Sequence, residues 1–355
     1  MSSTIKVNLE KDSYDIIFDD NFVESAIALI ATSSKCMIIT QEVIYEAFEK
    51  KFSVLKSLPN VEFHFIGQGE EAKSIETAIE ICDKMTLMHY DRSSTIFAIG
   101  GGVVGDTAGF VASIFMRGID YIQYPTTLLA MVDSSIGGKT GVNLTSGKNL
   151  IGRIHQPKAV IIDLSFLDTL PQREINASLA EVIKYGFIYD RELFNYIVEN
   201  ISDILSGKNH TVLKKIILRS CEIKSEVVSK DVNEDNIRMI LNFGHTIGHA
   251  LEGYFEYKKL LHGEAILYGM KCALYLSHTI GNLNKKDYLA SLKALSAFTL
   301  PAIDLKDKGS IIEFVKRDKK FRESQIRFIL ISEIGKAELN TEITLNHIEE
   351  SLGVL

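Results

Sequence analysis

The sequence predicts an α/β domain with a parallel sheet, followed by an all-α domain. In the first half of the chain, short β-rich runs alternate with helical patterns, which is typical of a parallel sheet covered by helices. From Glu174 to about Leu295, stretches of helical periodicity follow one another with almost no β-rich run between them. The 355 residues, 46% of them hydrophobic, are enough for two separate cores. We therefore predict two domains, 1–170 and 171–355.

Five β-rich runs supply the strands of the predicted sheet. They are CMIIT at 36–40, VEFHFIG at 61–67, TIFAIG at 95–100, YIQYP at 121–125 and AVIID at 159–163. The pattern becomes helical around Leu170 and Pro171, and RFILIS at 327–332 predicts a late strand in the second half.

Composition and charge argue against several classes of protein. The net charge of −7 does not suit a broad nucleic-acid surface, which needs a basic footprint. The first residues carry charges without the apolar core of a secretory signal, and no apolar run is long enough to span a membrane. Four widely separated cysteines form no CxxC pair, so neither a disulfide framework nor a zinc-thiolate site is indicated. We expect a soluble cytoplasmic protein that binds a small molecule, without a nucleic-acid or membrane partner.

A glycine-rich turn predicts a nucleotide site. In STIFAIGGGVVGDTAGF, Gly100, Gly102 and Gly105 satisfy G-x-G-x-x-G between a predicted strand and a predicted helix. This pattern lets the backbone approach a pyrophosphate and directs a helix N-terminus at its oxygens. Glycines at such turns also serve tight packing, but the context favours nucleotide binding. Asp106 can either cap the helix or contact the ligand, and the sequence leaves both open.

A helix predicted over 238–252 places five polar residues on one narrow stripe. They are Arg238, Asn242, His245, His249 and Glu252. Because the flanks of this helix are mostly apolar, the stripe predicts a wet or metal-lined cleft rather than a solvent face.

Several candidate metal ligands surround this stripe. His245 and His249 are four residues apart and can face one ion. His262 stands at the predicted start of the next helix, and Glu181 precedes Lys184 by one turn. Two histidines and a carboxylate with an open position are typical of a catalytic zinc site. Taken alone, Glu181 and Lys184 would be an ordinary surface ion pair.

A loop predicted over 125–152 is rich in Gly, Ser, Thr and Asn and carries Lys139 and Lys148. With Arg117, Lys184 and Arg238, these lysines would form a positive pocket in an acidic protein. Such a pocket suits a phosphorylated, polyhydroxylated substrate.

Six motifs together resemble the 3-dehydroquinate synthase family. In chain order they are GGGVVGDTAGFVAS, PTTLLAMVDSSIGGKTGVN, GKNLIGRIHQP, AEVIKYG, LNFGHTIGHALE and HGEA. The resemblance extends from GQGEEAK near residue 67 to DKK at 318–320. It implies a Rossmann-like N-terminal domain, a helical C-terminal domain and an active site in the cleft between them. It also implies a homodimeric lyase that uses NAD and a divalent metal, zinc or cobalt. The expected reaction converts 3-deoxy-D-arabino-heptulosonate 7-phosphate into 3-dehydroquinate and phosphate.

The resemblance also implies a role for each matching residue. The metal ligands would be Glu181, His245 and His262, which assigns His249 to the substrate. The residues at the phosphate end of the substrate would be Lys148, Asn149, Lys224, Arg238, Asn242 and His249. Those at its carboxylate and hydroxyls would be Asp133, Lys139 and Lys184, with Arg117 supplied by the partner subunit. Lys319 or Lys320 would also reach the site. The NAD-binding set would be Glu70, Lys73, Gly101, Gly102, Val103, Val104, Gly105, Asp106, Thr126, Thr127, Lys139, Lys148, Phe166, Leu167, Asp168 and Thr169.

Three other functions are compatible with parts of the pattern. Another sugar phosphate cyclase would share the cofactors and the elimination step. A metal-dependent polyol dehydrogenase would share the two-domain plan but would accumulate NADH. A metal- or nucleotide-binding protein without enzymatic activity would not explain why the chain has both the cationic loop and the histidine stripe.

Overall fold

The computed structural model describes residues 3–145, 147–317, 321–322 and 325–355. The chain divides into two compact units. Unit 1 contains Met1–Leu170 and Lys224–Val232, and unit 2 contains Pro171–Ile223 and Asn233–Leu355. Within the described part of the chain, no helix is both long and apolar enough to cross a membrane.

Unit 1 is built on a seven-stranded sheet and a separate hairpin. Its strands are β1 (Ser3–Val7), β2 (Tyr14–Phe18), β3 (Cys36–Thr40), β4 (Val61–Phe65), β5 (Thr95–Gly100), β6 (Asp120–Pro125), β7 (Lys139–Leu144), β8 (Gly147–Ile154) and β9 (Ala159–Ile162). The sheet order is β1-β2-β9-β6-β5-β3-β4, and all its pairs are parallel except β1 with β2. The five strands predicted between residues 36 and 163 are confirmed, whereas the sequence analysis misses β1 and β2.

Helices cover this sheet. They are α1 (Phe22–Ile30), α2 (Glu42–Ala47), α3 (Glu49–Lys56), α4 (Ile75–Leu87) and α5 (Gly102–Ile114). Every residue of β3 and β5 is buried, as expected for parallel strands that are covered on both faces. The predicted loop over 125–152 is wrong in part, because it contains a π-helical turn (Ala130–Ser134) and the antiparallel β7–β8 hairpin.

Unit 2 is mainly helical. Its helices are α6 (Gln172–Ile188), α7 (Arg191–Glu199), α8 (Ile201–Ser206), most of α9 (His210–Lys230), α10 (His245–Tyr254), α11 (His262–Thr279), α12 (Lys285–Leu295), α13 (Lys308–Arg317) and α14 (Leu345–Ser351). Its strands are β10 (Phe321–Arg322), β11 (Gln325–Ile326), β12 (Phe328–Glu333) and β13 (Lys336–Asn340), paired as two antiparallel hairpins. The predicted late strand is therefore confirmed as β12.

Candidate functional site

The helix predicted over 238–252 is wrong as a single element. The chain forms a 3₁₀ turn at Ile237–Asn242, and α10 begins only at His245. Between them Gly244 has a φ of +79°, a left-handed conformation that a continuous right-handed helix cannot include and that glycine adopts at little cost. Arg238 and Asn242 therefore belong to a different element from the histidines.

Three side chains of unit 2 converge on one point. Glu181 lies within α6, and His245 and His262 are the first residues of α10 and α11. Oε1 of Glu181 lies 3.5 Å from Nε2 of His245 and 3.9 Å from Nε2 of His262. Ligand atoms about 2.0–2.2 Å from a tetrahedral zinc ion lie roughly 3.4 Å apart. Both distances from Oε1 of Glu181 are thus close to the spacing between two ligands of one ion.

His249 lies close to the same point. One ring nitrogen from each of His245, His249 and His262 falls within 4.8 Å of the others, and the rings of His245 and His249 have centroids 5.2 Å apart. Distance alone therefore allows two sets of ligands: the three histidines, or two of them with Glu181.

Hydrogen bonds orient two of the histidines. Nδ1 of His245 lies 3.1 Å from the Phe243 carbonyl oxygen, and Nδ1 of His262 lies 3.1 Å from a carboxylate oxygen of Glu252. With Nδ1–H donating to these oxygens, Nε2 of each ring directs a lone pair towards Glu181. Lone pairs that face a carboxylate oxygen repel it unless a cation or a proton lies between them. This donor set of two imidazoles and one carboxylate suits a divalent metal such as zinc.

Glu181 and Lys184 are a buried pair rather than the surface pair that their spacing suggests. Glu181 is 0% and Lys184 1% exposed, and the Lys184 ammonium contacts Oε2 of Glu181. Within the described part of the chain, neither carboxylate oxygen of Glu181 has a partner in regular hydrogen-bonding geometry. A buried carboxylate in this state is ready to ligate a cation.

Gly263 allows α11 to begin next to Glu181. A Cβ at this position would collide with the Ala177 carbonyl oxygen of α6. Ala177 lies one turn before Glu181, on the same side of the helix. The absence of a side chain at Gly263 therefore allows the approach that places His262 beside the carboxylate.

The glycine turn of unit 1 presents a helix N-terminus. β5 ends at Gly100 and α5 begins at Gly102, and among the described residues no side chain caps this helix. Its first N–H groups are therefore available to an anion. Gly105 allows α5 to pack closely against β6, since a Cβ at this position would lie 2.6 Å from Oε1 of Gln123. One glycine motif thus serves both anion binding and close packing.

The other expected nucleotide contacts follow neighbouring strands. Thr126 and Thr127 follow β6, and the 3₁₀ turn Leu164–Thr169 follows β9. That turn contains Phe166, Leu167, Asp168 and Thr169. Since β5, β6 and β9 are adjacent and parallel, these segments emerge at the same edge of the sheet as the glycine turn. Ligands of open α/β sheets bind at such an edge.

Asp106 lies just beyond the first turn of α5 and does not cap it. Its Oδ2 accepts a hydrogen bond of 2.5 Å from Nζ of Lys73. Burial raises the pKa of the Asp106 carboxyl, and the neighbouring Lys73 ammonium only partly offsets this effect. Nζ of Lys73 also donates to Oδ1 of Asn149, and Nζ of Lys148 lies 3.8 Å from Oε1 of Glu70. The structure therefore brings together Asp106, Lys73 and Asn149 in one set of contacts and Lys148 and Glu70 in another.

Lys224 and Asp133 form a second polar contact in unit 1. Nζ of Lys224 donates to the carboxylate and to the backbone carbonyl of Asp133, at 2.6 and 2.5 Å.

The other residues expected to bind the substrate differ in exposure. Lys139, at the start of β7, is exposed. In unit 2, Nδ2 of Asn242 donates to Glu234 at 2.6 Å, and Arg238 is 2% exposed.

Arg117 lies apart from the glycine turn. It precedes β6, at the edge of the sheet opposite the end where Thr126 stands. Met116, Arg117 and Gly118 have successive φ values of +49°, +71° and +121°, which is unusual for residues other than glycine. The side chain of Arg117 is exposed.

Comparison with known proteins decides the family. The family model described as 3-dehydroquinate synthase N-terminal matches residues 63–177, and the one described as 3-dehydroquinate synthase C-terminal matches residues 178–321. The 3-dehydroquinate synthase of Thermoanaerobacter pseudethanolicus is 46% identical over 344 residues, which cover 95% of this chain and 96% of that protein. The chain belongs to the 3-dehydroquinate synthase family.

Solved structures place this member of the family among the sugar phosphate cyclases. The 2-epi-5-epi-valiolone synthase of Streptomyces hygroscopicus, with NAD⁺ and Zn²⁺ bound, superposes with a TM-score of 0.89 at 27% identity, over 98% of both chains. A 2-deoxy-scyllo-inosose synthase complexed with carbaglucose-6-phosphate, NAD⁺ and Co²⁺ superposes with a TM-score of 0.86 at 29% identity, over 99% of both chains.

Two residues near the candidate site have contacts that the sequence does not predict. Glu252 belongs to the predicted polar stripe, but its hydrogen bond to His262 follows only from the structure. Asn143, the last residue of the motif PTTLLAMVDSSIGGKTGVN, contacts Glu70 and Asn149. Lys319 and Lys320, which the resemblance brings to the site, lie outside the described residues.

Proposed function

We propose that this protein is a carbon–oxygen lyase that converts 3-deoxy-D-arabino-heptulosonate 7-phosphate into 3-dehydroquinate and phosphate. The observation that carries the proposal is the oriented donor set of Glu181, His245 and His262 in a chain that matches the family over most of its length. The reaction needs both a metal and a hydride carrier, and the molecule offers chemistry suited to each.

NAD and a divalent metal are the proposed cofactors. The cyclases named above contain NAD⁺ with Zn²⁺ or with Co²⁺. Here the free N-terminus of α5 would bind the pyrophosphate of NAD, with Glu70, Lys73 and Asp106 nearby. Glu181, His245 and His262 would hold the metal. When bound, NAD would supply reversible oxidation of a substrate hydroxyl, and the metal would supply Lewis-acid polarisation of its oxygen.

His249 is proposed to contact the substrate rather than the ion. Oε1 of Glu181 faces the Nε2 atoms of His245 and His262 at 3.5 and 3.9 Å, and both rings are fixed by hydrogen bonds at Nδ1. Three protein ligands and an open position are the usual arrangement of catalytic zinc, and Glu181, His245 and His262 would supply the three ligands. His249, whose ring centroid lies 5.2 Å from that of His245, would then be left to contact the substrate.

The cationic residues are proposed to bind the acidic substrate. Lys148, Asn149, Lys224, Arg238 and Asn242 would hold its phosphate, which then leaves by β-elimination. Asp133, Lys139 and Lys184 would hold its carboxylate and hydroxyls. Because the departing phosphate can accept the proton itself, the residues need only orient it, and no strong protein base is required.

Arg117 is proposed to act in the partner subunit of a homodimer. It sits in a strained turn beside the exposed apolar side chains of Ile114 and Met116. Strand β8 of the hairpin contributes two further exposed apolar side chains, Leu150 and Ile154. It contacts the end of α5, because Arg153 donates a hydrogen bond to the Ser113 carbonyl.

We propose that the protein is located in the cytoplasm, and the four free cysteines of the chain agree with this location.

Other functions are less well supported. The two sugar phosphate cyclases named above match at 27% and 29% identity, whereas several 3-dehydroquinate synthases match at 41–46%. A polyol dehydrogenase would release NADH, whereas the proposed reaction returns the hydride within each turnover.

Measurement of inorganic phosphate release from the heptulosonate phosphate tests the proposal. We expect release that depends on NAD and stops when a chelator removes the metal, without NADH at steady state. Release from glucose 6-phosphate or sedoheptulose 7-phosphate alone would assign another cyclase activity, and accumulation of NADH with polyols would assign a dehydrogenase.

A further inference from the structure

The β7–β8 hairpin contains a bulge at residues to which the proposed function gives roles. Val142 pairs with Ile151 and Leu144 pairs with Gly147, with a shift of register between them. A single residue of β7, Asn143, therefore stands opposite three residues of β8, 148–150. Bulges occur beside active sites, where they redirect side chains. This bulge carries Lys148 and Asn149.

Asn143 compensates for the interrupted ladder. Its Oδ1 accepts a hydrogen bond of 2.9 Å from the backbone N–H of Asn149. Its own N–H donates to the carbonyl of Lys73 at 2.8 Å. Asn149 has a φ of +54°, a left-handed conformation that is uncommon for residues other than glycine, although asparagine tolerates it better than most.

The other end of the Asn143 amide reaches Glu70. Nδ2 donates to the Glu70 carbonyl at 3.2 Å and to its carboxylate at 2.8 Å. A flipped amide would turn its oxygen towards two acceptors and its NH₂ group towards an N–H donor, so only one orientation satisfies all three contacts. One planar group thus connects Glu70 with Asn149.

Lys73 holds the side chain of the same asparagine. Its Nζ donates to Oδ1 of Asn149 and to Oδ2 of Asp106, both at 2.5 Å. Asn149 is therefore fixed at its backbone by Asn143 and at its side chain by Lys73.

We infer that Asn143 is a positioning residue that couples the NAD-binding turn of Glu70 and Lys73 to the substrate-binding Lys148 and Asn149. One side-chain amide then determines both the affinity for NAD and the binding of the substrate's phosphate end. The roles of these four residues rest on the proposed function, whereas the hydrogen-bond network does not.

The first test compares Asn143→Ala with Asn340→Ala in the metal-loaded enzyme. Asn340, at the end of β13, is a matched control because it is also half-buried and accepts two backbone hydrogen bonds, from Glu342 and Ile343. For Asn143→Ala we expect kcat/KM for the heptulosonate phosphate to fall about 10- to 100-fold, the scale of a misplaced substrate contact. We also expect the Kd for NAD, measured by calorimetry, to rise, and neither quantity to change in Asn340→Ala.

The second test uses Asn143→Asp, which keeps the acceptor for Asn149 but places a carboxylate beside Glu70. Protonation of the new carboxyl restores the donor, and the neighbouring charge raises its pKa. The ratio of its kcat/KM to that of the unaltered protein should therefore increase as the pH is lowered. A residue that only supports the hairpin would give a constant ratio.

The outcomes separate this inference from the proposed function. If the unaltered protein releases no phosphate, the proposed function fails, and the Kd for NAD still decides the role of Asn143. Unchanged NAD affinity and kcat/KM in Asn143→Ala, or equal losses in Asn340→Ala, would overturn the inference. If Asn143→Ala does not fold, a pH-independent ratio for Asn143→Asp would overturn it.

Discussion

We expect Glu252 to act on the candidate metal centre through His262. It is 6% exposed, and its carboxylate lies 3.1 Å from Nδ1 of His262. A carboxylate on the far nitrogen of a ligating histidine fixes the ring and increases the basicity of the nitrogen that binds the metal. Metal affinity should therefore depend on a residue that is not itself a ligand.

Replacement of Glu252 by Gln should weaken zinc binding by about 10-fold, the lower end of such effects, because the amide oxygen still accepts the hydrogen bond. His245→Ala should remove the stoichiometric metal altogether. Chelator competition and elemental analysis measure both changes. Glu256→Gln is the control, because its side chain is 76% exposed. Equal zinc affinity in Glu252→Gln and this control would refute the role of Glu252.

Lys148 permits a prediction that separates substrate binding from metal binding. Its side chain is 30% exposed and belongs to unit 1, whereas the metal ligands belong to unit 2. Lys148→Ala should lower the rate of phosphate release by about 100-fold, the scale of a lost charge-stabilising contact, with the zinc content unchanged. Lys158→Ala, which removes an exposed lysine, should retain full activity. Normal turnover of Lys148→Ala would remove this residue from the proposed machinery.

Sequence spacing identifies the histidines but cannot choose among them. His245 and His249 are correctly predicted to share a helical face, and the structure places their rings side by side. Glu181 and His262 come from other helices, and only the packing of those helices shows that His262 faces the carboxylate. Sequence spacing cannot predict the burial of Lys184 either, since an i,i+3 ion pair has the same spacing on the surface and in the core.

At the scale of elements, Gly263 controls the contact between α6 and α11. The sequence shows a glycine after His262, and the structure shows that a Cβ there would meet the Ala177 carbonyl oxygen. Since this oxygen belongs to the backbone of a packed helix, it cannot move aside as a side chain could.

Gly263→Ala should therefore destabilise the protein by about 1–3 kcal/mol, the usual cost of overpacking, and should weaken metal binding by moving His262 away from Glu181. Gly353→Ala is the matched control, because nothing lies within 4 Å of a Cβ at that position. Urea unfolding and zinc competition measure the two effects. If Gly263→Ala were as stable and bound zinc as tightly as Gly353→Ala, α11 would not depend on this close approach.

The strands that the sequence analysis finds and those it misses differ in burial. β3 and β5 are continuous apolar runs buried along their whole length, so composition alone reveals them. β1 and β2 form an antiparallel pair at one edge of the sheet, where less exposed residues alternate with more exposed ones. Because Lys6 and Asp15 interrupt the apolar residues of these two strands, neither strand is recognisable as a continuous apolar run. The single helix over 238–252 fails for another reason, because periodicity does not register the left-handed φ at Gly244.

At the scale of the whole molecule, the few buried lysine and arginine side chains of this acidic chain belong to the proposed binding sites. Within the described residues, the buried lysines and arginines are Lys73, Lys184, Lys224 and Arg238, each at most 5% exposed. All four were assigned to the NAD or substrate set from the sequence. A buried cation is costly unless it is paired, and Lys73, Lys184 and Lys224 each contact a carboxylate. The fold therefore retains charges where the proposed reaction requires them, although buried ion pairs often stabilise a protein no more than well-packed apolar residues do.

The ion pair of Arg191 and Asp287 makes stability in unit 2 depend on pH. Arg191 donates to both carboxylate oxygens of Asp287, at 3.3 and 2.6 Å. These hydrogen bonds, and then the charge of the guanidinium, hold the pKa of Asp287 below its ordinary value of 3.8. Ionised Asp287 therefore stabilises the folded state above that value, and the contribution is lost as the pH falls through the lowered pKa.

Asp287→Asn should lower the free energy of unfolding at neutral pH by about 1–2 kcal/mol, because it weakens charge-assisted hydrogen bonds of an arginine that solvent partly screens. The difference from the unaltered protein should shrink at acid pH, where Asp287 itself becomes protonated. Asp304→Asn, at a residue whose side chain is 69% exposed, should stay within about 0.5 kcal/mol at each pH. Urea unfolding between neutral and acid pH measures the free energy of unfolding of the unaltered protein and of both variants. A difference for Asp287→Asn that stayed constant down to the acid limit would show that packing, not ionisation, explains the loss.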